Sequence, residues 1–228
     1  MLRSRNNLMS KKRKPRIDNK KIKAIKDSDV LWWIVRGYTR YELHPLLKEI
    51  RKKNHDEIIK ISLMNYLIVR TITVFESFML NLAVRYVREH KETAMKLLNN
   101  PDLDKIAEQL VSTHSFMNKD EINRVFSSFL GKDFFIEIKN QSIEYATDYC
   151  YEEEHIHWAS PLHKNWDKFE AIFEIRNDIV HHNKLFNLPW KPFRDMIESV
   201  LDFMMCSTLV LVVGSEISLM SPDYKKPA

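Results

Sequence analysis

The stretch Trp166–Asn183, WDKFEAIFEIRNDIVHHN, sets the tightest limit on what this chain can fold into. Trp166, Phe169, Ile172, Phe173, Ile179 and Val180 recur at three- and four-residue steps. Wound at about 100° per residue they share one face, which predicts an amphipathic helix packed on another apolar surface. Arg176 falls at the centre of that face, where the pattern asks for an apolar residue. A guanidinium buried there alone would cost several kcal/mol, so it must meet a carboxylate, an interface or a ligand. Asn177 and His181 are four residues apart and stack together on the rim of the stripe.

A second charge is stranded in the same way. From about Asp56 to His90 the apolar residues Ile58, Ile61, Met64, Leu67, Ile68, Ile72, Phe75, Phe78, Met79, Leu82 and Tyr86 keep helical steps, which predicts one long helix. Glu76 lies inside this run, with Val69, Ile72, Met79, Leu80 and Ala83 on its own face. A wide apolar coat can contain one rim Glu, but a charge at mid-stripe is better explained by a partner. Arg176 is the candidate, and the two are expected close together and largely buried.

The run Arg176-Asn177-Asp178-Ile179-Val180-His181 resembles the signature of the HEPN superfamily: Arg, a polar residue that is often Asn, three further residues, then His. Arg and His at this spacing are common; specificity comes from Asn177, the aromatic-rich helix before it and the helical chain around it. The resemblance covers about the last third of the chain, is looser over Leu63–Val87 and does not reach the first fifty or so residues. It implies an all-α, HEPN-like bundle with long core helices. Many members are ribonucleases in which two domains pair to form one composite cleft. The resemblance thus implies a metal-independent endoribonuclease, without cofactor, working as a homodimer through an isologous interface across the signature helices. It also implies a toxin or antiphage defence role, with an antitoxin or defence-system partner.

The chemistry is self-consistent. RNA carries its own nucleophile, the 2′-OH beside each phosphate. Cleavage needs a base for that proton, an acid for the 5′-oxygen and positive charge for the phosphorane. His181 suits proton transfer, because an imidazole titrates near neutral pH. Arg176 can grip non-bridging oxygens with its planar fork. Asn177 can orient His181 or bind phosphate. Glu76 supports Arg176, while His182 and Lys184 flank the cleft, His182 as a second proton carrier. Arg176, Asn177 and His181 equally fit a satisfied polar knot that fixes helix packing. The chain would then be a catalytically silent interaction module.

Composition narrows the class further. The 228 residues are 44% hydrophobic with three glycines, which argues against a turn-rich β architecture. Two cysteines, Cys150 and Cys206, fit a reducing cytosol better than a disulfide framework, so a cytoplasmic protein is expected. Residues 1–26 hold eleven Lys or Arg against the single acid Asp18, a local charge of +10 in a chain of +5, which leaves the rest at −5. Such an arm, with Lys11, Lys12, Arg13, Lys14 and Arg16 at its densest part, fits RNA contact or a solvated tail. It is read as disordered when free.

The expected organisation is this arm, a helical lead-in over 27–53, a helical domain over 54–221 and a tail over 222–228. In the lead-in, Asp29–Arg36 is predicted as a helix capped by Gly37, with Trp32 and Trp33 tucked onto the body. A second short helix opens at Pro45 and runs to about Lys53. Asn100-Pro101 starts another helix. Asn118 and Glu121 form a capping box for the next, which Gly131 ends. Lys132–Tyr149 is predicted helical. Glu152–His163 is predicted as a loop, with Cys150, His155, His157 and His163 at no trustworthy metal spacing. Ser160-Pro161 should open the signature helix. A last helix should run from about Pro192 to Leu219. Its uncharged core, Phe203–Ser215, spans only about 20 Å at 1.5 Å per residue, against about 30 Å for a bilayer, so no membrane anchor is expected there.

Overall fold

Asp56 starts the helix on which the others assemble: its carboxylate accepts from the Ile58 N–H at 2.9 Å. With neither Gly nor Pro in its sequence, α3 (Glu57–Glu89) runs unbroken for 33 residues, about 50 Å. Leu67, Ile68, Ile72, Phe75, Phe78, Met79, Leu82 and Ala83 make its buried face. The computed structural model describes residues 29–90, 92, 95, 98, 105–116, 118–139, 143–150, 153–159 and 165–215. The basic arm, the expected helix starts at Asn100-Pro101 and Ser160-Pro161, and residues 216–228 lie outside these, as do the side chains of Trp32 and Trp33.

The lead-in folds as α1 (Asp29–Tyr38), a π-helical turn at Thr39–Leu43, and α2 (His44–Ile50). Gly37 does not stop α1 as expected. A glycine stop needs left-handed backbone, and among the described residues only Gly131 and Asn183 have positive φ. The chain instead passes through the π-turn, which α3 holds from the side. Arg70 donates to both Glu42 oxygens at 2.5 and 2.6 Å, and the Tyr38 hydroxyl meets Thr71 Oγ1 at 2.5 Å. Pro45 sits in the first turn of α2 as predicted, and the helix closes at Ile50.

Beyond α3 come α4 (Ile106–Thr113) and α5 (Lys119–Leu130). Asn118 caps α5 by accepting from the Asp120 and Glu121 N–H groups at 2.8 and 3.4 Å, and Gly131 ends it at φ 68°. Glu121 does not close the expected box. Its carboxylate turns to His114 and Arg124 instead.

Lys132–Tyr149 is not one helix. Phe134–Lys139 forms α6, then Ile143–Cys150 and Glu153–Ala159 form β1 and β2, an antiparallel hairpin that also replaces most of the expected Glu152–His163 loop. The first half is helical as predicted, and the second half, from Ile143, is a strand instead. Phe134 and Ile138 are buried one turn apart with Ile136 exposed between them, and Asp133 caps Ile136 at 2.9 Å. The segment read as helical pairs its Tyr145 and Thr147 with His157 and His155 of β2.

The molecule is a helical bundle with this hairpin as a local exception. Its centre is the packing of α3 against α7 (Trp166–His182) and α8 (Trp190–Ser215). Phe75 of α3 meets Phe173 and Phe203 edge-on at 5.4 Å and Phe169 at 5.9 Å, and Phe169 stacks on Phe203 at 4.4 Å. Removing so central a ring, as in Phe75→Ala, costs about 3–5 kcal/mol. By length and hydropathy residues 57–87 of α3 could also cross a membrane, but 61% of that apolar window is buried inside the bundle.

Candidate Arg–Glu–His site

α7 follows Asn165, whose side chain makes no cap, and presents Phe169, Ile172, Phe173 and Arg176 to the core. The three apolar residues fix α7 on α3 beside Phe75, and this register brings residue 176 opposite the next residue of α3. Arg176 is 7% exposed, and its Nη2 reaches Glu76 Oε1 at 3.5 Å. The sequence expectation for this pair therefore holds: the two stranded charges meet, and both are largely buried.

The pair is loose. Charge-assisted hydrogen bonds of this kind normally close to about 2.7–2.9 Å. Arg176 Nη1 donates to Asn177 Oδ1 at 3.1 Å, while its Nε is buried with no hydrogen-bond partner. Burial pushes the Glu76 carboxyl up, and the opposing pull of Arg176 does not cancel that cost. A well-paired buried carboxylate would shift the other way. The guanidinium thus holds unused hydrogen-bonding capacity in a buried position.

His181 is not brought to the Arg176 fork. Five residues of helix put about 140° between them. Asn177, His181, His182 and Lys184 all lie exposed on the rim and C-terminal end of α7. Val180, expected on the core face, is 47% exposed there, and Leu185 is 65% exposed just beyond. Lys184 is tied down rather than free, its Nζ on Asp178 Oδ2 at 2.8 Å. α7 stops because Asn183 adopts left-handed backbone, φ 52°, which Asn tolerates better than most residues.

Asn65 is the functionally placed residue that sequence reasoning missed. Its side chain accepts from the Phe186 N–H at 3.0 Å and donates to the Phe186 and Ile61 carbonyls at 2.9 and 2.7 Å. This clasp fixes the segment that leaves α7 and so fixes the end of the helix bearing His181 and His182. The signal was available, since Asn65 is also a polar residue inside the apolar run of α3.

Glu76 has a second neighbourhood. Together with Ser77, Leu80, Val111, His114 and Phe116 it walls a cleft of about 470 Å³ between α3 and the end of α4. His114 is buried, with Nδ1 at 2.7 Å from Glu121 Oε1 and Nε2 without a partner. Arg124 first, and then His114, hold the Glu121 carboxyl down at about 2. Among the described residues no three of His, Cys, Asp or Glu are gathered as a metal site. Cys150, His155 and His157 fall in the hairpin strands, and His163 lies outside the described residues.

No protein-family model matches this chain, and no curated protein or solved structure matches it either.

Proposed function

We propose that the protein is a HEPN-type, metal-independent endoribonuclease. The 2′-OH of the RNA attacks the adjacent phosphorus, and a 2′,3′-cyclic phosphate and a free 5′-hydroxyl result. One observation carries the reading: an arginine nine-tenths buried, with an unused Nε and only a 3.5 Å grip on its carboxylate, on the same helix as an exposed histidine. A purely structural arginine would be expected to satisfy its fork.

Each helix offers one set of Arg176, Asn177 and His181, and in-line displacement needs a base and an acid on opposite sides of phosphorus. A homodimer that apposes two α7 helices supplies both histidines, and exposed Val180 and Leu185 give that face apolar surface to bury. Glu76 tensions Arg176, which swings or stretches onto phosphate oxygens as RNA arrives. The basic arm, with Lys11, Lys12, Arg13, Lys14 and Arg16, lends sequence-independent attraction to RNA. A cytoplasmic toxin or antiphage defence role, with an antitoxin or other defence partner, belongs to the same reading.

The exposed Val180 and Leu185 also favour a second reading, a catalytically silent module that uses this face to bind another protein. Incubating the full chain with RNA in EDTA separates the two. The ribonuclease leaves cyclic-phosphate ends under chelation; 5′-phosphate ends or metal dependence overturn the mechanism. A dimer that cleaves no RNA favours the module.

A further inference from the structure

The cleft on the other side of Glu76 has a composition that no part of the proposed chemistry uses. Its volume, about 470 Å³, lies in the range of small-molecule sites. Among the described residues its walls contain no Lys or Arg, so nothing in them favours a phosphate. They offer instead a carboxylate, several hydroxyls, the His114 ring, and Leu80, Val111 and Phe116 as apolar surface. Such walls suit a flat, uncharged group that donates hydrogen bonds.

Two polar groups on its walls have hydrogen-bonding capacity to spare. Arg176 touches only Oε1 of Glu76, which leaves Oε2 without a donor among the described residues. His114 Nδ1 faces both the Glu121 carboxylate at 2.7 Å, an acceptor, and Arg124 Nη2 at 3.0 Å, a donor, so it can serve in either role. The buried Nε2 has no hydrogen-bond partner among the described residues, and a hydroxyl, which donates and accepts, matches it in either tautomer. A buried polar atom without a partner is costly, and a matching group on a ligand recovers that cost.

We infer that this cleft is a nucleobase pocket, built to take guanine from the RNA strand whose phosphate lies at Arg176. Guanine presents two adjacent N–H donors, N1–H and N2–H, which match the two oxygens of a carboxylate. Adenine, cytosine and uracil place an acceptor beside their donor and would set a lone pair against Glu76. His114 Nε2 is left for a sugar hydroxyl. The inference rests on the ribonuclease reading for its substrate and gives that site a base preference. Glu76 then serves both halves, reading the base and holding the arginine.

Titrating the full-length chain with guanosine, adenosine, cytidine and uridine, followed by NMR shifts, tests this without any cleavage. Guanosine is expected to bind about 10-fold or more tightly than the other three. Val111→Trp and Ser77→Gln alter exposed positions on opposite walls, where the fold tolerates change, and both should abolish guanosine binding. In RNA digests Val111→Trp should lower cleavage at guanosine sites to the level seen at the other bases. No nucleoside binding, equal binding of all four, or guanosine binding that both variants leave intact overturns the pocket. Cleavage without guanosine binding sinks the pocket alone; guanosine binding without cleavage sinks the ribonuclease reading and leaves the pocket standing.

Discussion

Besides an exposed contact of Asn187 with Glu57, α3 touches α7 and the chain leaving it at two more deeply placed polar points among the described residues, and the two are built differently. At Asn65 an amide spends both its groups on Phe186 in bonds of 2.9 and 3.0 Å, and its second N–H on Ile61 at 2.7 Å. At Glu76 a guanidinium reaches its carboxylate only at 3.5 Å and leaves Nε unmet. Both points tie α3 to the second half of the chain, one at α7 itself and one at the segment that leaves it. On the proposed reading the difference separates structure from reserve: a group kept for packing is satisfied, whereas a group kept for a ligand would be held in place but not used up. Satisfaction, rather than burial, is what marks Arg176.

The sharpest way to break this comparison is to remove His181, which makes no hydrogen bond or ion pair among the described residues. His181→Ala should lower RNA cleavage by about 10²-fold or more, with thermal stability and RNA affinity nearly unchanged. Circular-dichroism melting beside a cleavage assay reads both. A loss of about 1–3 kcal/mol of stability with activity intact would make His181 part of a packing knot and reverse its assignment.

Asn65→Ala is the mirror experiment. It strands the Phe186 N–H and carbonyl and loosens the exit from α7, so a stability loss of about 2–3 kcal/mol in urea unfolding is expected. Activity per folded molecule should fall far less than in His181→Ala. If Asn65→Ala is silent in unfolding, the clasp does not hold the chain and the contrast with Glu76 fails.

Deleting residues 1–26 tests the RNA side of the reading. The slope of log affinity against log salt should flatten, because it counts the phosphates neutralised, while the fold survives. An unchanged slope would make the arm a solvated tail.

Sequence legibility divided along the same line. The long helices could be read because apolar residues at helical steps report burial directly, and Arg176 and Glu76 because a charge at mid-stripe is too costly to be accidental. Asn65 carried the same signal more faintly, since an uncharged amide costs less to bury and draws less notice. The Ile143–Tyr149 part of the predicted Lys132–Tyr149 helix misled because a short apolar run fits period two and period 3.6 alike, and only pairing with Glu153–Ala159 decided it. Gly37 misled because its stop signal depends on a backbone conformation that the ties to α3 do not permit. The cleft had no local signature, being assembled from residues more than thirty positions apart on separate elements.

The smallest effect is the most discriminating, because its sign runs against intuition. Glu76 titrates above an ordinary carboxyl in the folded chain, chiefly through burial. The folded state therefore takes up its proton more readily than the unfolded one. Its favourable contribution is complete below the unfolded value and is lost as pH rises through the folded value. Glu76→Gln removes that loss and should gain stability on the parent protein as pH rises from about 4 to 7, despite breaking an ion pair. His44, pulled down from 6.5 to about 4 mainly by burial, weakens both proteins as pH falls through that window, and it cancels in the difference. Asn65→Ala, with no titrating group changed, should show a difference that is flat with pH. Urea unfolding of the three proteins at several pH values checks this. If Glu76→Gln instead becomes steadily worse than the parent as pH rises, the ion pair is tight, Arg176 is satisfied like Asn65, and it holds nothing in reserve for a phosphate.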